Sequence, residues 1–153
     1  SFIHSLSMEK MMKENILECK KKFEDKEFEV VFHHSLDKDK FLLTHGATST
    51  HSQRHNEFAK WLVEQNIKYV DISASAENLM NYYSEVDLHI GYRVHAHIFM
   101  NSISRFSILI SEDGRAKGAK EVIGGIVLDG FTAFKNDFFS KILKSYSFRV
   151  NIW

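Results

Sequence analysis

Proline is absent from the sequence. That removes one usual helix-stop signal, so element boundaries have to be read from Gly, Ser and Asp. A single cysteine, Cys19, excludes an internal disulfide and fits a reducing compartment. No apolar run approaches the roughly 20 residues that a membrane-spanning helix needs, and the first residues lack the charged-then-apolar layout of a secretory signal. Neither sign of charge is in excess, with Lys plus Arg and Asp plus Glu at 20 each. Net charge therefore argues for no polyanionic partner, and any basic patch must be local. No G-x-G-x-x-G follows the first strand and no Walker loop occurs, which disfavours a nicotinamide, flavin or P-loop nucleotide site. Trp61 and the Phe residues have no basic stripe beside them, so they fit helix cores better than a platform for nucleic acid.

What is present is a soluble composition, 44% hydrophobic over 153 residues, enough for one domain with a sizeable core. Residues 2–6 alternate apolar and polar as a first strand would. Ser7 is the expected N-cap of a helix on which Met8, Met12, Ile16, Cys19 and Phe23 share an apolar face. Residues 28–32 are strand-like. Phe41, Leu42 and Leu43 read as a short strand or an anchor for a long loop, and residues 44–52 have loop chemistry. A helix is expected over 54–66, a strand over 69–72, and a helix capped by Ser75 with Leu79, Met80, Tyr83 and Val86 on one face. Further strands are expected at Leu88, at 106–110 and at 126–128, with helices after Arg93, over 115–123 and over 131–146. The tail 148–153 is apolar enough to pack back.

Alternation of this kind predicts an α/β fold: a three-layer α/β/α, Rossmann-like domain with a mainly parallel sheet of about six strands. Residues 1–153 read as a single domain. The chain opens on its first strand without an initiator Met, so a domain cut from a longer protein is expected.

The most informative stretch is 86–124. A short apolar strand from Leu88 runs into Arg93 and His95, after which Ala96, Ile98, Phe99, Met100 and Ile103 read as a helix. A guanidinium and an imidazole then sit where a strand ends and a helix begins. Backbone N–H groups and the helix dipole favour an anion there, and Arg offers a planar fork suited to carboxylate or phosphate.

The same stretch resembles the polysaccharide pyruvyl transferases, which carry D-L-x-I-G-x-R-x-H-A at a strand end. Here that run is Asp87-Leu88-His89-Ile90-Gly91-Tyr92-Arg93-Val94-His95-Ala96. In the family a second strand, an acidic residue, a Lys, a Gly and a closing L-G follow; here they are Phe106–Ser111, Asp113, Arg115, Gly118 and Ile123-Gly124. Arg115 stands where the family has Lys, Val94 where it has Leu, and Gly114 where Pro is frequent.

The resemblance implies the C-terminal half of a two-domain, glycosyltransferase-B-like enzyme that transfers pyruvyl from phosphoenolpyruvate to a saccharide or lipid-linked oligosaccharide, forming a ketal. The acceptor side would come from a missing N-terminal domain, so the isolated half would be inactive. No cofactor is implied, phosphoenolpyruvate being the donor substrate. The location implied is cytoplasmic, or peripheral at the inner membrane face. By the same resemblance Arg93 clamps the donor anion, His95 contacts it or transfers a proton, and Arg115 and Lys117 give a second cationic contact.

Plainer roles stand beside these. Arg93 could pair with a helix acid and His95 could cap a helix, while Arg115 and Lys117 could be solvated surface charges. Asp87 fits a strand entrance, and His89 fits a satisfied core histidine. His97 faces another way than His95. His33, His34, His45, His51 and His55 invite a metal, and His51 and His55 would share a helix face. No His-Glu-x-x-His pattern or acidic third ligand accompanies them, so no metal is expected. The segment 44–55 is the better candidate for donor or acceptor contact, with an ordinary surface loop as the equal alternative. Two rival functions remain: a glycosyltransferase-B enzyme holding a nucleotide sugar, with Glu121 for the ribose hydroxyls, and a non-catalytic binding module of the same fold.

Overall fold

A computed structural model describes residues 5–111, 122 and 124–130. These residues carry five helices and five strands, in the order α1 (Leu6–Lys22), β1 (Glu29–Phe32), α2 (Lys38–Leu42), α3 (Ser49–Glu64), β2 (Lys68–Asp71), α4 (Ala76–Ser84), β3 (Leu88–Gly91), α5 (Val94–Ser102), β4 (Phe106–Ser111) and β5 (Ile126–Asp129). The expected mixture of helix and parallel strand is present, because every strand pair runs parallel. The expected single sheet of about six strands is not. Among the described residues the strands form a two-stranded sheet, β1-β2, and a three-stranded sheet, β3-β4-β5. The chain divides accordingly into two compact units, Ser1–Tyr82 and Tyr83–Trp153.

In the first unit, α1 begins at Ser5, whose hydroxyl accepts from the Met8 amide, and not at Ser7. The expected strand over 2–6 fails where it can be seen, since Leu6 opens the helix. The core gathers Phe32 from β1, Phe58, Ala59 and Leu62 from α3, and Ile67 ahead of β2, with Met12 and Ile16 of α1 packed against it. Lys13 of α1 lies over the Trp61 ring at 5.2 Å, and Lys20 donates to the Gln65 carbonyl at the end of α3. Cys19 is buried, and burial pushes its thiol pKa up to about 12, which leaves it an inert core side chain.

Residues 41–43 form neither strand nor long loop. Asp37 caps a short helix through the Lys40 amide, and Phe41 is its buried anchor. The expected loop over 44–52 ends early, because Thr48 accepts from the His51 amide and starts α3 at Ser49. At the carboxyl end of β2, Asp71 accepts from the Leu36 and Ser73 amides, each at 2.9 Å. This fixes the turn after β1 against the turn after β2. Burial alone would raise the Asp71 pKa, but hydrogen bonds from Ser73 and the Leu36 amide, with His55 nearby, hold it below the ordinary carboxylate value.

In the second unit β4 lies between β3 and β5, and Ile108, Leu109 and Ile110 are all buried. A central parallel strand is covered on both faces, which is why F-S-I-L-I-S reads as a nearly continuous apolar run. Ala96 and Met100, one turn apart on α5, are also fully buried.

Two helix-to-strand junctions share one construction. After α3, Asn66 adopts φ 53°, its amide donates to Val63 and the Ile67 amide donates to Leu62. After α5, Ser104 adopts φ 58°, its amide donates to Asn101 and the Arg105 amide donates to Met100. Both are Schellman closures with a left-handed residue just past the helix. In the first, Leu62 and Ile67 also meet in the core.

No described helix is long and apolar enough to cross a membrane. The helices expected over 115–123 and 131–146 and the tail 148–153 fall outside the described residues, apart from Val122.

Leu62 is completely buried, so Leu62→Ala should cost about 2–5 kcal/mol in urea unfolding. Serine is a poor left-handed residue, so Ser104→Gly should add about 0.5–1 kcal/mol by the same measurement.

Candidate functional site

Strand β3 ends at Gly91, and α5 begins three residues later at Val94. The expected junction of strand, Arg93, His95 and helix is therefore present. Arg93 is the N-cap residue, with extended backbone (φ −102°, ψ 114°) and no side-chain capping bond. Chemistry explains this, since a guanidinium has donors and no acceptor to offer the first-turn amides. The other helices begin differently: Ser5, Asp37, Thr48 and Ser75 each accept from an amide three residues on. At α5 the first bond of the helical ladder runs from the His97 amide to the Arg93 carbonyl, at 3.2 Å. The amides of Val94, His95 and Ala96 precede it and receive no side-chain cap from their own N-cap residue.

Arg93 is half-buried, and His95, in the first turn, is exposed. Arg93 acts electrostatically on the Tyr83 hydroxyl. Burial raises the pKa of that phenol well above its ordinary value, and the guanidinium opposes the rise. Arg115, Lys117 and Glu121 lie outside the described residues.

Asp87 pairs with Arg105 at 2.8 Å, joining the entrances of β3 and β4. Both side chains are largely exposed, so the pair contributes at most about 1 kcal/mol. His89 is buried, as its place on a covered strand suggested. His97 is buried while His95 is exposed, so the two face apart.

The N-terminal histidines are partly committed to packing. His55 Nε2 lies 2.9 Å from the His34 carbonyl, and its ring meets Phe32 edge-on at 4.7 Å. His51 falls inside α3, not ahead of it. Among the described residues no group of three or more His, Cys, Asp or Glu side chains is placed to hold a metal.

A buried polar cluster beneath α5 escaped the sequence reading. Ser107 Oγ lies 2.8 Å from His89 Nδ1 and 2.7 Å from His97 Nδ1. His97 Nε2 lies 3.3 Å from the Gly124 carbonyl oxygen and 3.1 Å from Asn101 Nδ2. Two glycines make room for these rings. A Cβ on Gly91 would sit 2.5 Å from His89 Nε2, and one on Gly125 would sit 2.8 Å from His97 Nε2. The available signal was a pair of polar residues, His89 and Ser107, inside apolar strands, which the register sets directly opposite each other.

Burial lowers the His97 pKa, against a raising contribution from its bond to the Gly124 carbonyl. The unfolded chain therefore takes up a proton at a higher pH than the folded one. Stability from this group is complete above about pH 6.5, the free imidazole value, and is lost as pH falls through the lower folded value. Urea unfolding from about pH 8 to about pH 5 should show this decline, and His97→Gln should flatten it.

No protein-family model, curated protein or solved structure matches this chain.

Proposed function

We propose that the chain is the C-terminal, Rossmann-like α/β/α half of a polysaccharide pyruvyl transferase-like enzyme, acting on phosphoenolpyruvate and a saccharide hydroxyl pair in the cytoplasm. One observation supports this most. The helix that follows β3 is the one described helix whose N-terminal neighbour is a cation in place of an accepting side chain. First-turn amides, the helix dipole and a guanidinium all favour an anion at that place. The sequence around it is the run that resembles the family.

The chemistry follows from the donor. Phosphoenolpyruvate carries a carboxylate and a phosphate on three carbons. A proton is delivered to its methylene carbon, the neighbouring carbon becomes cationic, and one saccharide hydroxyl attacks it and loses its proton. Phosphate then departs with its bonding electrons, and the second hydroxyl attacks the same carbon and loses its proton, which leaves with the phosphate, to close the ketal. Arg93 binds the donor's acidic groups, and His95, exposed in the first turn of α5, serves contact or proton transfer. Arg115 and Lys117 complete the phosphate contact. The acceptor is bound by a further domain.

The rival is a nucleotide-sugar enzyme of glycosyltransferase-B type, in which Arg93 would hold a diphosphate. Calorimetric titration of the full-length protein with phosphoenolpyruvate and with a uridine diphosphate sugar separates the two. Phosphoenolpyruvate should bind, and Arg93→Ala should weaken it about 10- to 100-fold, the effect of one charge-assisted contact. Tight nucleotide-sugar binding with no response to phosphoenolpyruvate would overturn the assignment.

A further inference from the structure

His97 ties the start of α5 to the sheet. Its amide makes the first bond of the helical ladder, to the Arg93 carbonyl at 3.2 Å. Its ring places Nδ1 2.7 Å from Ser107 Oγ and Nε2 3.3 Å from the Gly124 carbonyl oxygen. One residue thus closes the turn that Arg93 caps and fastens that turn to β4, the central strand, and to the chain just ahead of β5.

The strand that leads into this turn is fixed to the same atom. His89, two residues before the end of β3, sits opposite Ser107 in the register and places Nδ1 2.8 Å from its hydroxyl oxygen. The connection through Gly91, Tyr92 and Arg93 is therefore bracketed by two imidazoles that meet at one oxygen. A serine hydroxyl can accept from both rings, or accept from one and donate to the other, so the bracket holds whichever nitrogens carry protons. His89, Ser107 and His97 are all buried. The rings also have little room to turn, since a Cβ on Gly91 would lie 2.5 Å from His89 Nε2 and one on Gly125 would lie 2.8 Å from His97 Nε2.

We infer that His89, Ser107 and His97 are positioning residues, which hold Arg93 and the amides of residues 94–96 where they bind the donor's anionic groups. This rests on the reading of the start of α5 as the donor site, and it adds three residues that do not themselves touch the donor. Fixed donors recognise an anion only when they are held within about 0.5 Å of the productive geometry. The packing of Ala96 and Met100 resists separation of α5 from the sheet but has no preferred direction. The two imidazole bonds supply the direction.

The test is calorimetric titration of the full-length protein with phosphoenolpyruvate, read as dissociation constant and stoichiometry and set beside the urea midpoint of each variant. Ser107→Ala should weaken binding about three- to tenfold, the span of one neutral hydrogen bond. Stoichiometry should stay unchanged. A purely structural role would lower the urea midpoint and the competent fraction and leave the affinity of folded molecules as it was. His97→Leu should match Ser107→Ala. His97→Asn, whose amide can stand where Nδ1 stood, should recover most of the affinity. Because Ser107 acts through the Arg93 turn, the losses from Ser107→Ala and Arg93→Ala should combine to less than their product.

If the unmodified protein binds phosphoenolpyruvate and both Ser107→Ala and His97→Leu bind it equally well, the inference is overturned and the donor site stands. No binding by the unmodified protein overturns the donor site and this inference together. Should neither variant fold, His97→Asn is compared with His97→Gln, which reaches toward Gly124 and not Ser107. Equal affinities in that pair would overturn the inference.

Discussion

One buried hydroxyl ties the second unit together. Ser107 Oγ is within hydrogen-bonding distance of an imidazole from β3 and of another from α5, and its own strand, β4, lies at the centre of the three-stranded sheet. Buried polar groups are tolerated only when satisfied, and an incomplete network costs more than an apolar core. The positions of β3, β4 and α5 are therefore correlated through one oxygen, in addition to the non-directional packing of Ala96, Met100, Ile108 and Leu109. Gly91 and Gly125 belong to this arrangement as much as the histidines do, because their missing side chains are the space the rings occupy.

The helix start that carries the functional reading is built on the same support. Arg93 caps α5 and His95 stands on its first turn, and the helix is seated through Ala96, His97 and Met100. A half-buried guanidinium at the cap and a buried polar seat thus belong to one nine-residue helix. The helix is seated by hydrogen bonds through His97 as well as by apolar packing. Directional bonds restrict sliding and rotation better than dispersion contacts do.

Legibility followed the strength of local signals. Strands β1 to β5 were readable because each centres on two or more β-branched, aromatic or aliphatic residues between turn residues, and the switch from strand to helix at Arg93 was readable because the spacing of apolar residues changes there. Helix α2 was not, since five residues with one buried anchor, Phe41, leave no periodicity to detect. The start of α3 was missed because its first turn, Ser49 to Ser52, is polar and resembles loop chemistry; only Thr48 as a cap marked it. The separation of the strands into two sheets depends on which strands pair across long stretches of chain, and no local pattern encodes that. The histidine and serine cluster depended on register. His89 and Ser107 become neighbours only after β3 and β4 are aligned, and His97 joins them from a helix.

The paired closures at Asn66 and Ser104 carry a consequence for how this chain can vary in length. Each locks the last turn of a helix to the two residues that lead into the following strand, through two backbone bonds. One residue added between Ser104 and Phe106 would rotate alternate side chains of β4 to the wrong side and carry Ser107 away from both imidazoles. Indels are therefore barred at these helix-to-strand passages. Tolerance for extra length is pushed to the opposite rim, where strands give way to helices and where a new specificity could be grafted without disturbing the sheet.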